Sequence, residues 1–112
     1  MHPHPPQWLF VCSRNAWRSR TAEAMYRNDG RVRVRSAGTS PRARVRVSAR
    51  MLQEADTVFV MEDRHRQKLL RRFGHSALAR KIVVLEIPDR YTYMDIELQD
   101  ELRDTVGPYL PD

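Results

Sequence analysis

Five residues separate Cys12 from Arg18, and Ser19 follows directly, in the stretch Cys12-Ser13-Arg14-Asn15-Ala16-Trp17-Arg18-Ser19. Cys12 is the one cysteine of the chain. A thiol attacks as its thiolate, and several features that favour the thiolate are encoded next to it. Six residues can curl the backbone around a tetrahedral anion with successive N–H groups pointing inward. A helix beginning near Arg18 would add its partial positive end. The Arg18 guanidinium would add two parallel donors, and the Ser19 hydroxyl could hydrogen-bond the sulfur. The chemistry this spacing suggests is nucleophilic attack by sulfur on a phosphate held above it. Taken alone, a cysteine after an apolar strand is ordinarily a small buried hydrophobe, so the surrounding elements must carry the argument.

Those elements alternate. Gln7-Trp8-Leu9-Phe10-Val11 is a short apolar run that ends at Cys12, as a buried strand would. Ser19 to Asn28 carries Ala22, Met25 and Tyr26 at helical spacing, with Ser19 placed as an N-cap, Glu23 in the first turns and Asp29-Gly30 as the stop. Arg31 to Arg35 alternates arginine with valine, which predicts a strand with one wet face at a sheet edge. Residues 36–41 read as a loop, and Val45 to Glu54 as a helix, although Arg42 to Val47 also alternates. Thr57 to Met61 is a third strand, Asp63 to Phe73 a charged helix stopped by Gly74, Lys81 to Leu85 a fourth strand, and Asp95 to Val106 a closing helix. This pattern predicts an α/β fold: a four-stranded parallel sheet with helices on both faces. Ligands of such sheets bind beyond the carboxyl ends of the strands, where Cys12 lies.

Length and charge set the outer bounds. The 112 residues suit one domain over 7–112, preceded by an ordering-poor extension over 1–6 that contains His2 and His4. No apolar run reaches the roughly 20 residues of a membrane span, and the start lacks the regions of a secretion signal. A lone cysteine excludes an internal disulfide and a cysteine-based zinc site, and fits a reducing, cytoplasmic compartment. The net charge of +6 hides an asymmetry: 18 basic against 6 acidic side chains through Leu85 give +12, and 2 against 8 from Glu86 onward give −6. Of the 20 basic residues 18 are arginine, which suits capture of phosphate or carboxylate.

The chain resembles the low-molecular-weight protein tyrosine phosphatases. The resemblance rests on Leu9 to Ser19 with Thr21-Ala22-Glu23-Ala24, then on Ser36-Ala37-Gly38-Thr39, then on Ala55 to Met61, in that order and over roughly residues 8 to 95. It implies a phosphomonoesterase that needs neither metal nor cofactor and works through a phosphocysteine. Cys12 would attack phosphorus. The backbone of Ser13, Arg14, Asn15, Ala16, Trp17 and Arg18, with the Arg18 side chain, would hold the oxygens. Asn15 would brace the loop, and Ser19 would ease departure of the thiolate. The family's general acid lies in an Asp-Pro-aromatic loop, whose nearest match is Asp89-Arg90-Tyr91. This assigns Asp89, with Asp95 as the alternative. Tyr91 and Tyr93 would flank an aromatic leaving group, unless they pack against the last helix.

The departures from the family concern the substrate. Arg14 stands where glycine is usual, Trp17 where a second cysteine is common, Arg20 where proline is frequent, and Arg90 replaces the proline after Asp89. The chain is also short between Thr39 and Leu52, a region that helps wall the family's substrate. The expected partner is a phosphorylated substrate, an aryl phosphate or a phosphotyrosine protein. An anion- or nucleic-acid-binding module with a vestigial phosphate loop is the alternative, recognisable by salt-sensitive binding without hydrolysis. Arsenate reductases of similar fold relay electrons through further cysteines, and this chain has none. His65 and His75 lie in or beside a charged helix and are expected at the surface.

Overall fold

The strand that carries Cys12, β1 (Gln7–Cys12), lies inside a sheet whose strands all run parallel. The computed structural model describes residues 4–74 and 76–112. The other strands are β2 (Arg33–Gly38), β3 (Thr57–Val60) and β4 (Ile82–Val84), in the order β2-β1-β3-β4. The helices are α1 (Arg18–Tyr26), α2 (Ala49–Glu54), α3 (Asp63–Phe73), the short α4 (Ser76–Ala79) and α5 (Ile96–Val106), followed by a 3₁₀ turn at Gly107–Tyr109. The predicted four-stranded parallel sheet with helices on both faces is the observed architecture. His2 and His75 fall outside the described residues, as does half of the extension expected over 1–6. The Pro6 carbonyl accepts the Arg33 N–H at 2.9 Å.

Alternation along β1 divides the core in two. Trp8, Phe10 and Cys12 face α1 and α5, where they join Ala22, Tyr26, Leu98, Leu102 and Val106. Leu9 and Val11 face the other way, onto Met51 and Leu52 of α2, Leu69 of α3 and Leu78 of α4. A period of two side chains per repeat produces this division. On the first face Trp8 meets Phe59 edge-on with ring centroids 5.0 Å apart, and Phe10 stacks on Phe59 at 5.4 Å. Such pairs contribute about 0.5–1.5 kcal/mol each beyond the area they bury. With both faces covered, β1 is fixed along its length and Cys12 is held at its carboxyl end.

Three local expectations are corrected. The helix after the Cys12 loop begins at Arg18, one residue earlier than predicted, and Ser19 does not cap it; its hydroxyl turns inward to Cys12, Asn15 and Ala37. Glu23 lies in the second turn, within the expected first turns, and accepts from the Ser36 hydroxyl at 2.7 Å. Residues 36–38 are not loop but the buried end of β2, paired with Phe10, Val11 and Cys12. The 45–47 segment is extended, because Gly38 donates to the Val45 carbonyl and accepts from the Val47 N–H. The β-branched Val45 and Val47 suit that pairing, and α2 starts only after Ser48, whose Oγ accepts the Met51 N–H at 3.2 Å.

The edge position predicted for the Arg31–Arg35 stretch holds, since β2 is an outer strand. The chain leaves β1 toward β2 on one side and later places β3 on the other. This reversal opens a crevice at the carboxyl ends of β1 and β3, where ligands of open α/β sheets bind.

Candidate active site

In that crevice lies a cavity of about 520 Å³, with Cys12 at its floor. The loop after β1 forms one wall. Its carbonyls are turned outward: Cys12 O accepts the Thr39 N–H, Ser13 O the Ser40 N–H and Arg14 O the Arg44 N–H, each at 2.9 Å. Asn15 O accepts Arg44 Nε–H at 3.2 Å. In a trans peptide the N–H of the next residue points opposite to the carbonyl. The amides of Ser13, Arg14, Asn15 and Ala16 are therefore aimed away from the 39–44 segment and toward the cavity. Among the described residues none of the four has a protein hydrogen-bond partner. Unpartnered, convergent amides of this kind have the arrangement that suits an anion.

Two residues permit this curl. Asn15 adopts φ 55, in the left-handed region that asparagine tolerates better than most residues. Gly38 supplies room, because a Cβ there would collide with the Ser13 carbonyl and the Ala43 methyl. The glycine is required by close approach of the loop to β2.

Around the sulfur the hydrogen bonds have a direction. Asn15 Nδ2 donates to Ser19 Oγ at 2.8 Å, which occupies an acceptor site on that oxygen. The single Ser19 proton then goes to Cys12 Sγ at 3.0 Å or Ala37 O at 3.3 Å. Asn15 Oδ1 is buried with no partner among the described residues.

Arg18 is 2 % exposed, which rules out a surface arginine at a helix start. Its Nη1 donates to Glu62 Oε2 at 2.8 Å and to Ile87 O at 2.7 Å. A guanidinium has five N–H donors, so the Nε–Nη2 edge, which donates no hydrogen bond among the described residues, can take two oxygens of one anion. Glu62 orients the arginine and receives Arg64 as well, at 2.7 Å. Burial pushes the Glu62 carboxyl up, but the guanidiniums of Arg18 and Arg64 outweigh it and hold it below the usual carboxylate range.

Asp89 reaches the same cavity from the loop after β4. Ile87 anchors that loop: its N–H donates to Met61 O at 2.8 Å and its carbonyl holds Arg18. Two residues on, Asp89 is 52 % exposed at the rim, with Oδ1 3.8 Å from Arg18 Nε. Its carboxyl is thus open to a ligand in the cavity and close to the guanidinium that would share it. Asp95 is placed elsewhere, as the N-cap of α5, where its side chain accepts the Glu97 N–H at 2.9 Å.

The structure brings neither tyrosine to this cavity. Tyr91 is buried in the α5 face of the core and its hydroxyl donates to Glu101 at 2.8 Å. Tyr93 lies under the Arg20 guanidinium, 4.5 Å from ring centroid to Cζ, beside a different cavity. The aromatic side chain at the mouth is Trp17, 48 % exposed, and the cations there are Arg14 and Arg64.

His65 is the residue sequence reasoning misplaced. It is fully buried, not at the surface: Nε2 lies 2.9 Å from Ser13 Oγ, and Nδ1 accepts the Glu62 N–H at 3.0 Å. With Nδ1 an acceptor, Nε2 carries the proton and donates to Ser13, which frees the Ser13 hydroxyl to donate into the cavity. Burial, then the charges of Arg18 and Arg64, push His65 down to about 4. A histidine three residues after an N-cap glutamate, opening a helix at the end of a buried strand, was the available signal.

No family model and no curated protein matches the sequence. Solved structures do match. The tyrosine phosphatase Wzb from Escherichia coli K30, in complex with phosphate, aligns over 95 % of this chain and 96 % of its own with TM-score 0.73 at 18 % identity. The fold is that of the low-molecular-weight phosphatases. The low-molecular-weight phosphotyrosine phosphatase VcLMWPTP-2 of Vibrio cholerae O395 aligns over 86 % of each chain, with TM-score 0.67 and 22 % identity. The YwlE arginine phosphatase of Geobacillus stearothermophilus aligns over 94 % of this chain and 90 % of its own, with TM-score 0.71 and 22 % identity. The resemblance read from the Cys12 loop and the two later segments is thus borne out in the low-molecular-weight phosphatase fold. Among the described residues no three His, Cys, Asp or Glu side chains cluster to hold a metal, and no helix is long and apolar enough to cross a membrane.

Proposed function

We propose that this protein is a cysteine-dependent phosphomonoester hydrolase that acts through a phosphocysteine. The observation that carries the reading is the set of four unpartnered amides converging above Cys12. They bind the non-bridging oxygens together with the Nε–Nη2 edge of Arg18, leaving phosphorus in front of Sγ. The charge that builds on those oxygens meets donors already in place, so little reorganisation is needed at the moment of reaction.

In the first step the Cys12 thiolate forms an S–P bond while the bond from phosphorus to the leaving oxygen breaks. Asp89, as the carboxylic acid, gives its proton to that oxygen. In the second step the Asp89 carboxylate takes a proton from water as the water oxygen bonds to phosphorus. The S–P bond then breaks, inorganic phosphate is released, and the Ser19 hydroxyl stabilises the departing thiolate through its 3.0 Å contact. Asn15 holds Ser19 in place, and Ser13, oriented by His65, adds a donor to the phosphate.

The leaving group sits at the mouth, where exposed Trp17 offers a flat apolar face and Arg14 a cation. This favours an aryl phosphate, such as a phosphotyrosine on a polypeptide, over an aliphatic one. Trp17 takes the flanking role that the sequence resemblance gives to Tyr91 and Tyr93.

The test is hydrolysis of an aryl phosphate by the parent protein and by Cys12→Ser, with vanadate binding measured in both. Turnover confined to the parent, with binding retained in the variant, supports the reading. Vanadate or phosphate binding without turnover in the parent favours a non-hydrolytic anion-binding module. Equal turnover in the two proteins overturns the proposal.

A further inference from the structure

On the outer side of the Cys12 loop a second cavity, of about 380 Å³, lies among α1, β2 and the segment that carries Arg44. Arg20, Arg27, Arg35 and Arg44 line it, with Glu23 as the lone carboxylate of the lining. Guanidiniums remain charged at any physiological pH, so four of them around one space repel one another unless anions intervene. The protein supplies little compensation. Glu23 already accepts the Ser36 hydroxyl and stands 3.9 Å from Arg44 Nη2. Arg35 meets Glu54 at 3.3 Å, but both side chains are largely in water, where such a pair contributes little. Arg20 and Arg27 form no ion pair among the described residues. Arg20 is instead held in place by its stacking on Tyr93.

We propose that this cavity is a second phosphate-binding site, separate from the cradle above Cys12. Four guanidiniums against one carboxylate leave the lining a net charge of +3, which favours a dianionic phosphate over a carboxylate, which would neutralise one. Guanidinium forks match the oxygens of a tetrahedral anion. The site adjoins the first cavity through Arg44, whose Nε donates to Asn15 O at 3.2 Å and whose backbone N–H donates to Arg14 O at 2.9 Å. A phosphate drawn onto Arg44 therefore acts on the back of the loop whose front faces Cys12. The site takes the phosphate group whether free in solution or carried on a larger molecule, and it does not depend on hydrolysis at the first cavity.

The experiment is a titration of the intact protein with inorganic phosphate, followed by the Nε–H resonances of Arg20, Arg27 and Arg44 and by the backbone amides of residues 13 to 16. Two saturation curves are expected, one for the arginines and one for the amides. In Arg20→Ala/Arg27→Ala the arginine curve, read at Arg44, weakens tenfold or more while the amide curve stays. Arg27→Ala alone, at an exposed position, gives a smaller weakening and guards against a folding defect in the double variant. Phenylphosphonate, whose carbon–phosphorus bond is not hydrolysed, stands for the carried group, and whichever probe saturates the arginines at lower concentration identifies the source. An equal response to acetate at matched ionic strength overturns the proposal. So do arginine resonances that do not move, or that move identically in the variants. Arginines that respond while the amides do not would leave this site standing and remove the phosphatase reading.

Discussion

Nε2 of His65, at the start of α3, lies 2.9 Å from the Ser13 hydroxyl, so the turn after β3 is tied directly to the loop after β1. The same histidine accepts the Glu62 N–H, and Glu62 in turn holds Arg18. One buried imidazole therefore links two parts of the anion cradle, the serine at its start and the arginine at its end. It does so as a neutral ring with a fixed tautomer, and the expected consequences concern pH, packing and catalysis.

The first consequence is in stability. His65 is held down to about 4 in the folded protein, against an ordinary value near 6.5. Between those values the unfolded chain binds a proton there that the folded protein does not. Stability therefore rises with pH from about 4 to about 6.5, by up to about 3 kcal/mol from this group. Urea unfolding at a series of pH values checks it. The difference in stability between the parent and His65→Gln should change through that window and be constant above it. A difference that does not vary with pH would remove the neutral-imidazole account.

Gly38 is expected to be intolerant of even one methyl group. In Gly38→Ala the new carbon meets the Ser13 carbonyl, which is backbone and cannot swing aside. The expected cost is about 1–3 kcal/mol, as for overpacking in a core. Because the displaced atoms belong to the cradle, phosphate binding should weaken along with the unfolding midpoint. A variant that lost stability but bound phosphate as the parent does would separate the strand end from the site.

Asp89→Asn should slow hydrolysis by about 10²–10⁴-fold, the usual contribution of a positioned proton donor. The loss should grow as the leaving alcohol becomes a poorer leaving group, since an amide cannot protonate it. Asp95→Asn serves as the contrast, with activity retained and only the cap of α5 altered. Equal losses in both variants would contradict the placement of the acid.

Arg18→Lys keeps the charge and removes the fork. Lysine cannot bind Glu62 and Ile87 O with one nitrogen while offering a two-donor edge to an anion. Activity should fall far more than the unfolding midpoint, and phosphate affinity should fall with it. Retained activity would mean that position 18 contributes only charge.

Much of this arrangement was legible in the chain because it follows from periodicity. The short apolar run of β1, the charged helix from Asp63 to Phe73 with its Gly74 stop, and the arginine–valine edge strand each carry their own signal. The spacing of Cys12, Arg18 and Ser19 on a strand–loop–helix unit indicated where to look. Non-local contacts were not legible. Ser36-Ala37-Gly38 reads as loop by composition, yet it is the end of β2, with glycine required at 38 where the Cys12 loop approaches. Val45 and Val47 lie extended because Gly38 pairs with them from outside. His65 looked solvated among charged neighbours, and only the fold shows that its face of α3 turns to Ser13. Tyr91 and Tyr93 carried an expectation about substrate that their positions, against α5 and under Arg20, do not meet.

The central claim is that Cys12 forms a covalent bond to phosphorus, and a pre-steady-state reaction tests it most directly. The parent protein, mixed with an excess of aryl phosphate and quenched in acid, should release a burst of phenol and gain one phosphoryl group, mapped by mass spectrometry to Cys12. Cys12→Ser should lose turnover by about 10⁶-fold, as expected when a nucleophile is removed. A phosphoryl group on any other residue, or undiminished turnover without Cys12, would contradict the account.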